Sequence, residues 1–224
     1  AKTYSYTTTG PQTADQPTPV AGSCPGHAVN GAASASNSIL NPAVRTSAGG
    51  WTHVSSSGGL PGGARTTAIS GLSALGITTA YRTTLGGTAS SWWRVQYDGD
   101  TPVVEGQTYT VSGYIRPNVT VSTGVIIIWE NASGATIIES AGSFASQTAG
   151  TWVRKSSTAV APAGAVTARF HFGATGGGAS TNYIDATAAM FHTGSTVPGY
   201  ADGATTDWVW EGAANASTSK GPAI

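Results

Sequence analysis

Hydrophobic and polar residues alternate through Gln107–Arg116, which is the pattern of a half-buried antiparallel strand. The residues on its apolar face are Tyr109, Val111, Gly113 and Ile115. The next run, Gly124–Glu130, is apolar on both faces, as expected for a strand that is covered on both sides. Turn residues follow the runs, at Pro117 and Asn118 and at Asn131–Gly134. The two runs are therefore predicted to form neighbouring strands in the middle of the fold.

The rest of the chain repeats this pattern in shorter form. Roughly ten to twelve strands are predicted, with turns every ~8–12 residues, and no helical period of any length appears. In Ser91–Tyr97, the adjacent Trp92 and Trp93 must point to opposite faces, so one of them leaves the main core. The spacing of the strands and turns predicts an all-β fold, and the long strands favour a jelly-roll β-sandwich.

The first 37 residues differ in amino-acid composition from the rest of the chain. They hold four prolines among Thr, Ser, Gly and Ala and few large apolar side chains, so an extended Pro/Thr/Ser-rich N-terminal arm is predicted over 1–37. The sandwich is predicted over 38–219 and a C-terminal tail over 220–224. Tyr4 and Tyr6 share one side of a stretch of β-forming composition, which either adds to the sheet edge of a partner or remains a loose tail.

Cys24 is the single cysteine, which excludes an intramolecular disulfide framework. Cys24 and His27 have the spacing of half a zinc site, but a closed site needs four ligands and no second pair follows, so an inert loop thiol is favoured. No cofactor is predicted. The first residues lack a hydrophobic signal core and resemble a product whose initiator Met was trimmed, so we expect synthesis in a cytoplasm without signal-peptide export.

The charge content narrows the function classes. Charged residues make up 9% of the chain, against the usual ~25%, and ten Lys+Arg balance ten Asp+Glu. No basic patch is visible, so no nucleic-acid partner is predicted, and no apolar run approaches the ~20 residues of a membrane span, so no membrane partner is predicted either. Low net charge favours association, which suits a component of an assembly.

The titratable residues do not predict an enzyme. Glycoside hydrolysis needs two carboxylates that flank one bond, whereas the acids here are scattered over turns, strand ends and the C-terminal segment. No Gly-x-Ser-x-Gly sequence is present, and the four histidines lie in unrelated settings. His171 alternates with Phe170 and Phe172, which favours a solvated or groove-lining face over a catalytic base.

Four short motifs resemble those of the jelly-roll carbohydrate-binding module superfamily. They lie, in order, at Gly106–Arg116, Gly150–Arg154, Ala161–Ala165 and Tyr183–Ala186, and include a G-x-x-Y-x-x-S strand, a W-x-R strand and a Y-I-D strand. In related jelly rolls the Asp that matches Asp185 often helps to hold a structural calcium. The first strand here lacks the acidic partner of that site, so the favoured alternative is that Asp185 caps backbone N–H groups of a loop.

The resemblance also implies a face for glycan or partner contact, built from aromatic platforms with polar neighbours. The candidates, taken from faces predicted to lie outside the core, are Trp92, Arg94, Tyr114, Arg116, Trp129 and His171, together with Arg82. A Trp on a strand is more often a core or intersubunit residue than a ligand platform, and that alternative stays open for each one.

The closing segments, Pro198–Gly203 and Trp208–Ser219, resemble the end of tail and virion-surface proteins of phages that infect actinobacteria. There a "Y-x-D-G … W-x-G-x-x-x-A-S-T-S" ending follows the same jelly roll. The resemblance covers about residues 40–219 and implies a minor tail or a capsid or tail decoration component. Trp208 and Trp210 then form either a final edge strand or a seam with a neighbouring subunit.

Three hypotheses follow, and the first is favoured. It is a non-enzymatic structural protein located on the virion, a homo-oligomer with other virion proteins as partners and a jelly roll that contacts host cell-surface glycan. The second is a secreted or displayed carbohydrate-binding module, and the third is a glycan-cleaving enzyme. The missing signal sequence and disulfides favour the first over the second, and the missing carboxylate pair disfavours the third.

Overall fold

The computed structural model describes residues 34–55, 63–85, 92–176 and 181–222, and these form an antiparallel β-sandwich. The described residues contain fourteen strands and one short 3-10 helix, Ser73–Leu75. The strands are β1 (Ser34–Asn37), β2 (Trp51–Ser55), β3 (Ala64–Thr67), β4 (Thr79–Leu85), β5 (Trp92–Pro102), β6 (Thr108–Pro117), β7 (Val121–Glu130), β8 (Thr136–Ala141), β9 (Ala145–Gln147), β10 (Val153–Val160), β11 (Thr167–Thr175), β12 (Asn182–Thr193), β13 (Val209–Trp210) and β14 (Ser219–Pro222). The predicted all-β jelly-roll sandwich is confirmed.

Two sheets form the sandwich. The five-stranded sheet has the order β10-β6-β12-β4-β3, and the six-stranded sheet has the order β2-β5-β11-β7-β8, with β9 also paired to β7. The two runs predicted as neighbouring strands, β6 and β7, therefore lie in opposite sheets, and the chain crosses the sandwich between them at Asn118–Thr120. Each is an interior strand of its sheet, which explains why both are so apolar.

The main core lies between the two sheets and is built around aromatic rings. Phe170 of the six-stranded sheet contacts Phe191 of the five-stranded sheet with their ring centroids 4.5 Å apart, and Phe191 stacks on Tyr109 at 5.0 Å. Gly113 makes room for another ring, because an added Cβ there would lie 2.4 Å from Cε1 of Phe172. These ring contacts join the two sheets across the core.

A second hydrophobic cluster lies on the outer face of the five-stranded sheet. It joins Ile69, Leu72 and Ile77, from the segment between β3 and β4, to Ala80 of β4 and to Tyr200. This cluster covers only part of the outer face. Arg82, two residues beyond Ala80 on the same side of β4, keeps 33% of its side-chain surface exposed.

A third, small sheet of order β1-β14-β13 brings the two ends of the described chain together, with Ser34 opposite Pro222. The buried Asn37 fixes β1 to the sandwich. Its Nδ2 donates to the carbonyls of Ala189 at 3.0 Å and Ala201 at 3.2 Å, and its Oδ1 accepts from two backbone N–H groups. The strands β1 and β14 therefore extend beyond 38 and 219, the predicted limits of the sandwich.

The remainder of the predicted arm, residues 1–33, lies outside the described residues. The predictions for Tyr4, Tyr6, Cys24 and His27 fall in that segment.

Candidate functional site

Three charged side chains lie side by side on the outer face of the five-stranded sheet. β12 lies between β6 and β4, and its Asp185 pairs in register with Arg116 on one side and Arg82 on the other. Ile184 and Ala186 point into the core, so Asp185 points outward. The Asp185 side chain is nevertheless 0% exposed between its two arginines.

Asp185 accepts hydrogen bonds from both arginines. Arg82 donates from Nε to Oδ1 at 2.7 Å and from Nη2 to Oδ2 at 3.0 Å. Arg116 donates to Oδ2 from Nη2 at 2.8 Å and from Nε at 3.3 Å. The hydrogen bond to Asp185 raises the pKa of Arg82 above its ordinary value. Two positive charges thus share one negative charge.

Each arginine also stacks on an aromatic ring. Arg82 Cζ lies 3.6 Å from the ring centroid of Tyr183, and Arg116 Cζ lies 4.6 Å from that of Trp152. The Trp152 indole is fixed in turn, because its Nε1 donates to the carbonyl of Ser70 at 2.8 Å. These five residues, Arg82, Arg116, Trp152, Tyr183 and Asp185, are called the Asp185 cluster. The stacking holds both guanidinium planes in place.

A cleft of roughly 370 Å³ opens beside the Asp185 cluster. Its lining residues are Arg116, Pro117, Asn118, Ala149, Gly150 and Tyr183. The walls are joined by hydrogen bonds: Tyr183 N donates to Asn118 Oδ1 at 2.6 Å, and Gly150 N donates to the Pro117 carbonyl at 2.7 Å. The cleft is therefore formed before any ligand arrives, which lowers the entropic cost of binding.

A second charged group lies on the outer face of the six-stranded sheet. Arg94 of β5 stacks on Trp92 with Cζ 4.0 Å from the ring, and its Nη1 donates to Glu139 Oε2 at 3.2 Å and to His171 Nδ1 at 2.9 Å. Gly173 gives Arg94 room to cross the sheet, because an added Cβ would lie 3.0 Å from Arg94 Cγ. Trp92, Arg94, Gln96, Glu139 and His171 are called the Arg94 cluster.

His171 carries a hydrogen-bond chain through this cluster. Its Nδ1 accepts from Arg94, its Nε2 donates to Gln96 Oε1 at 2.6 Å, and Gln96 Nε2 donates to Asp98. Burial, followed by the nearby charges of Arg94 and Arg169, lowers the pKa of His171 to about 3. A neutral imidazole with its proton on Nε2 is the form that satisfies both contacts.

The predicted contact residues, including Arg82, do not form one surface. Trp92, Arg94 and His171 come together on the six-stranded sheet, although His171 is buried rather than solvated. Tyr114 and Arg116 lie on the opposite sheet, where Tyr114 is partly buried against the second hydrophobic cluster. Trp129 was wrongly placed outside the core: it is 0% exposed, and its Nε1 donates to Ser140 Oγ at 2.9 Å.

Of the Asp185 cluster, Arg82 and Arg116 were predicted contact residues and Asp185 was predicted in another role, whereas Trp152 and Tyr183 were not predicted as site residues. A sequence signal existed for Tyr183, which precedes Asp185 by two positions and so shares its face. Trp152 lies just before β10, and its distance to Arg116 depends on the pairing of β10 with β6. That pairing cannot be derived from one strand alone.

Asp185 does not have the surroundings of a calcium ligand. Both of its oxygens accept hydrogen bonds from arginines, and two guanidinium groups would repel a cation. Among the described residues, its hydrogen-bond partners are the side chains of Arg82 and Arg116 and not the backbone N–H groups of a loop, as the favoured alternative had predicted. Within the described residues, no group of three or more His, Cys, Asp or Glu side chains could hold a metal ion. No helix in the described part of the chain is long and apolar enough to cross a membrane.

The closing motif has a structural explanation. Tyr200 donates its hydroxyl to Asp202 Oδ2 at 2.5 Å, and Arg45 Nη2 approaches the same oxygen at 3.0 Å. Asp202 also accepts from Ala204 N, which closes the turn. Burial, followed by the charge of Asp202, raises the pKa of Tyr200 well above its ordinary value. These bonds fasten the C-terminal segment to the loop that follows β1.

Trp208 and Trp210 pack over glycines of their own chain. An added Cβ at Gly221 would lie 2.4 Å from Trp208 Cδ1, and one at Gly203 would lie 2.4 Å from Trp210. Trp208 is 4% exposed, so it has little surface to offer to a neighbouring subunit. The predicted seam between subunits stays a prediction and falls mainly on Trp210, which is partly exposed in β13.

No protein-family model and no curated protein sequence matches this chain. Several solved structures are similar to it in fold. The enzymatically active domain of tailspike protein 4 from bacteriophage CBA120 has a TM-score of 0.54 and 14% identity over 70% of this chain and 21% of its own. Arabinose-bound MgGH51 α-L-arabinofuranosidase has a TM-score of 0.53 and 14% identity over 71% of this chain and 27% of its own.

Carbohydrate-binding modules with a β-sandwich fold are also among the similar structures. The CBM22-1 xylan-binding domain from Paenibacillus barcinonensis Xyn10C has a TM-score of 0.49 and 13% identity over 72% of this chain and 94% of its own. This chain spans about a fifth and about a quarter of the first two proteins, and at these identities the likeness is one of fold.

Proposed function

We propose that this chain is a non-catalytic glycan-binding module and that the cleft beside the Asp185 cluster is its sugar site. The observation that carries the proposal is the combination, in one preformed cleft, of a partly exposed aromatic ring with arginine and amide groups. Tyr183 offers an apolar face for a sugar ring, while Arg116 and Asn118 offer hydrogen-bonding groups for its hydroxyls.

The carboxylates of the described residues around the cleft support binding without cleavage. Glycosidases place two carboxylates about 5–9.5 Å apart across the bond that breaks. Among the described residues that line the cleft or form the Asp185 cluster, Asp185 is the single carboxylate, and both of its oxygens are bonded to arginine. It is therefore poorly placed to act as a general acid or as a nucleophile.

The proposal is tested by binding to isolated polysaccharides and bacterial cell walls. Tyr183→Ala removes the ring that lines the cleft and is expected to weaken binding about tenfold or more, as loss of a stacking platform does. Trp92→Ala is the matched control, an aromatic truncation at an arginine-stacked ring on the opposite sheet. Equal loss in both variants, or none in Tyr183→Ala, would overturn the assignment of the cleft.

A second candidate function is that of a virion-surface component. It is supported by the resemblance of the closing segment to actinobacteriophage proteins and by the likeness in fold to a tailspike domain. Location on the virion, virion-protein partners and a homo-oligomeric state belong to this candidate. A virion protein that displays the module would also bring the cleft to the host surface, so the two functions are compatible.

Co-sedimentation separates the two functions. The full chain and a version that starts at Ser34 are mixed with host cell walls and, separately, with undecorated particles. The truncation stops before Ser34 because β1 pairs with β14, and a deletion to residue 37 would remove an integral strand. If only the full chain joins particles, residues 1–33 anchor it to the virion. If neither version joins particles and both bind walls, the virion role fails.

A further inference from the structure

We propose that the cleft selects sugars that carry an anionic group, a carboxylate or a phosphate, over neutral ones. This inference rests on the proposed function and names the ligand class of the same site. Positive and negative charges are unequal in the Asp185 cluster, which contains two guanidinium groups and one carboxylate. Among the described residues that line the cleft, Arg116 is charged and there is no acid.

The surplus positive charge faces water, whereas the negative charge does not. Arg82 exposes 33% of its side-chain surface and Arg116 exposes 17%, but Asp185 exposes none. A ligand in the cleft therefore meets the guanidinium of Arg116, while the carboxylate of Asp185 is buried between Arg116 and Arg82 and does not line the cleft. A buried acid partly balances the arginines and holds them in place, which lets two like charges stay close together.

The arginines keep donors that Asp185 does not use. Asp185 is bonded to Nε and Nη2 of Arg82 and to Nε and Nη2 of Arg116, so Nη1 of each guanidinium is not engaged by it. Tyr183 and Trp152 stack on the two planes and prevent them from turning. Rigid, partly desolvated guanidinium donors match the planar oxygens of a carboxylate or the oxygens of a phosphate.

The preference is local to the cleft. The whole chain carries ten Lys+Arg against ten Asp+Glu, so general attraction of polyanions to a basic protein does not explain it. On the opposite sheet, Arg94 has its own carboxylate partner, Glu139, and the acceptor His171. Arg94 therefore provides a control position: it is another arginine stacked on an aromatic ring, but it lies outside the cleft.

The test uses polygalacturonate, the same polymer after chemical reduction of its carboxyl groups, and a phosphomannan, in which the phosphate groups are carried on sugars. Dissociation constants are measured by calorimetry for the full chain. Binding of polygalacturonate at least about tenfold tighter than binding of the reduced polymer is expected, as for a charge-assisted hydrogen bond. Arg116→Gln should remove the difference and Arg94→Gln should not.

Each outcome decides a separate point. Tighter binding of the carboxylate polymer or of the phosphate polymer supports the anion site and identifies which group it takes. Equal binding of the acidic and reduced polymers overturns the preference but leaves glycan binding intact. Binding of none of the three overturns the preference and also counts against the proposed function. If Arg116→Gln does not fold, the salt dependence of the wild-type chain replaces it: affinity for polygalacturonate should fall with added salt, and affinity for the reduced polymer should not.

Discussion

The Asp185 cluster and the Arg94 cluster lie on the outer faces of opposite sheets, and each contains arginine stacked on an aromatic ring. They differ in how the arginine charge is balanced. Arg94 has one carboxylate partner, Glu139, and a hydrogen-bond chain that runs through His171 to Asp98. In the Asp185 cluster two arginines share one carboxylate, and a cleft opens beside them.

Residue type alone does not distinguish the proposed binding surface from an internal network. Both faces offer arginine and aromatic rings, which is why residues from both entered the predicted contact set. What separates them is the ratio of charges, with one carboxylate for one arginine in the Arg94 cluster and one carboxylate for two arginines in the Asp185 cluster, together with the cleft that opens beside Arg116. Where each arginine has its own carboxylate, the pair is balanced within the fold, and where arginines outnumber carboxylates beside a cleft, positive charge is left for a ligand.

The largest effect is expected when the shared carboxylate is removed. Asp185→Asn leaves the two guanidinium groups close together with no negative charge between them, so their repulsion is no longer balanced. The free energy of unfolding should fall by about 3 kcal/mol, the lower end for a broken buried ion pair, because both arginines keep contact with water. Urea denaturation followed by tryptophan fluorescence measures this change.

Arg82→Gln in the Asp185→Asn background tests the cause. Removal of one of the two repelling charges should recover part of the lost stability. If Arg82→Gln lowers the free energy of unfolding as much in the Asp185→Asn background as in the wild-type chain, the shared charge is not what holds the cluster together.

A loss of folding stability of intermediate size is expected when the Arg94 cluster is exposed to acidic pH. The pKa of His171 is about 3 in the folded chain and ~6.5 in an unfolded one, so the unfolded state binds the proton first. Stability that is present above pH ~6.5 should therefore be lost as the pH falls towards 3, with a slope of up to ~1.4 kcal/mol per pH unit from this residue. His171→Gln should lower that slope.

The carboxyl groups of the chain also titrate in part of this range, so the quantity of interest is the difference between the wild-type and His171→Gln profiles. Unfolding midpoints at pH 7, 5.5 and 4 are sufficient. Parallel profiles would mean that His171 accepts a proton in the folded chain without loss of stability. The hydrogen-bond chain to Gln96 would then not contribute to the pH dependence of folding.

The smallest effect is expected at Glu139. Its side chain is 46% exposed, and its pairing with Arg94 at 3.2 Å is open to water. Glu139→Gln should change the free energy of unfolding by less than ~1 kcal/mol, since exposed ion pairs contribute little. A loss as large as that of Asp185→Asn would remove the contrast between the two clusters.

Much of the fold could be predicted because the alternation of apolar and polar residues is visible within each strand, without knowledge of its neighbours. The apolar positions of β6, Tyr109, Val111 and Ile115, all point into the core as their spacing indicates. Gly124–Glu130 was expected to be covered on both sides, and Ile126 and Ile128, which lie opposite the core face, are each 3% exposed. The same property explains the error at Trp129, because a strand that is apolar on both faces does not show which face is inner.

The site was harder to predict because its contacts join distant parts of the chain. Arg82 and Asp185 are 103 residues apart and Arg116 and Asp185 are 69 apart. Their meeting depends on the order β6-β12-β4, which alternation within single strands does not reveal. Asp185 was singled out through the Y-I-D motif as a candidate calcium ligand or loop cap, but its partners could be named only once that order was known.

The pairing of β1 with β14 has a consequence for how this unit can be carried by other proteins. Ser34 and Pro222 are cross-strand neighbours, so the polypeptide enters and leaves the fold at a single point. A host loop needs to open by only the ~5 Å between paired strands to accept the whole sandwich as an insertion. Joining 222 to 34 and cutting the turn at 131–134 would move both chain ends to the connection between β7 and β8 without breaking a strand.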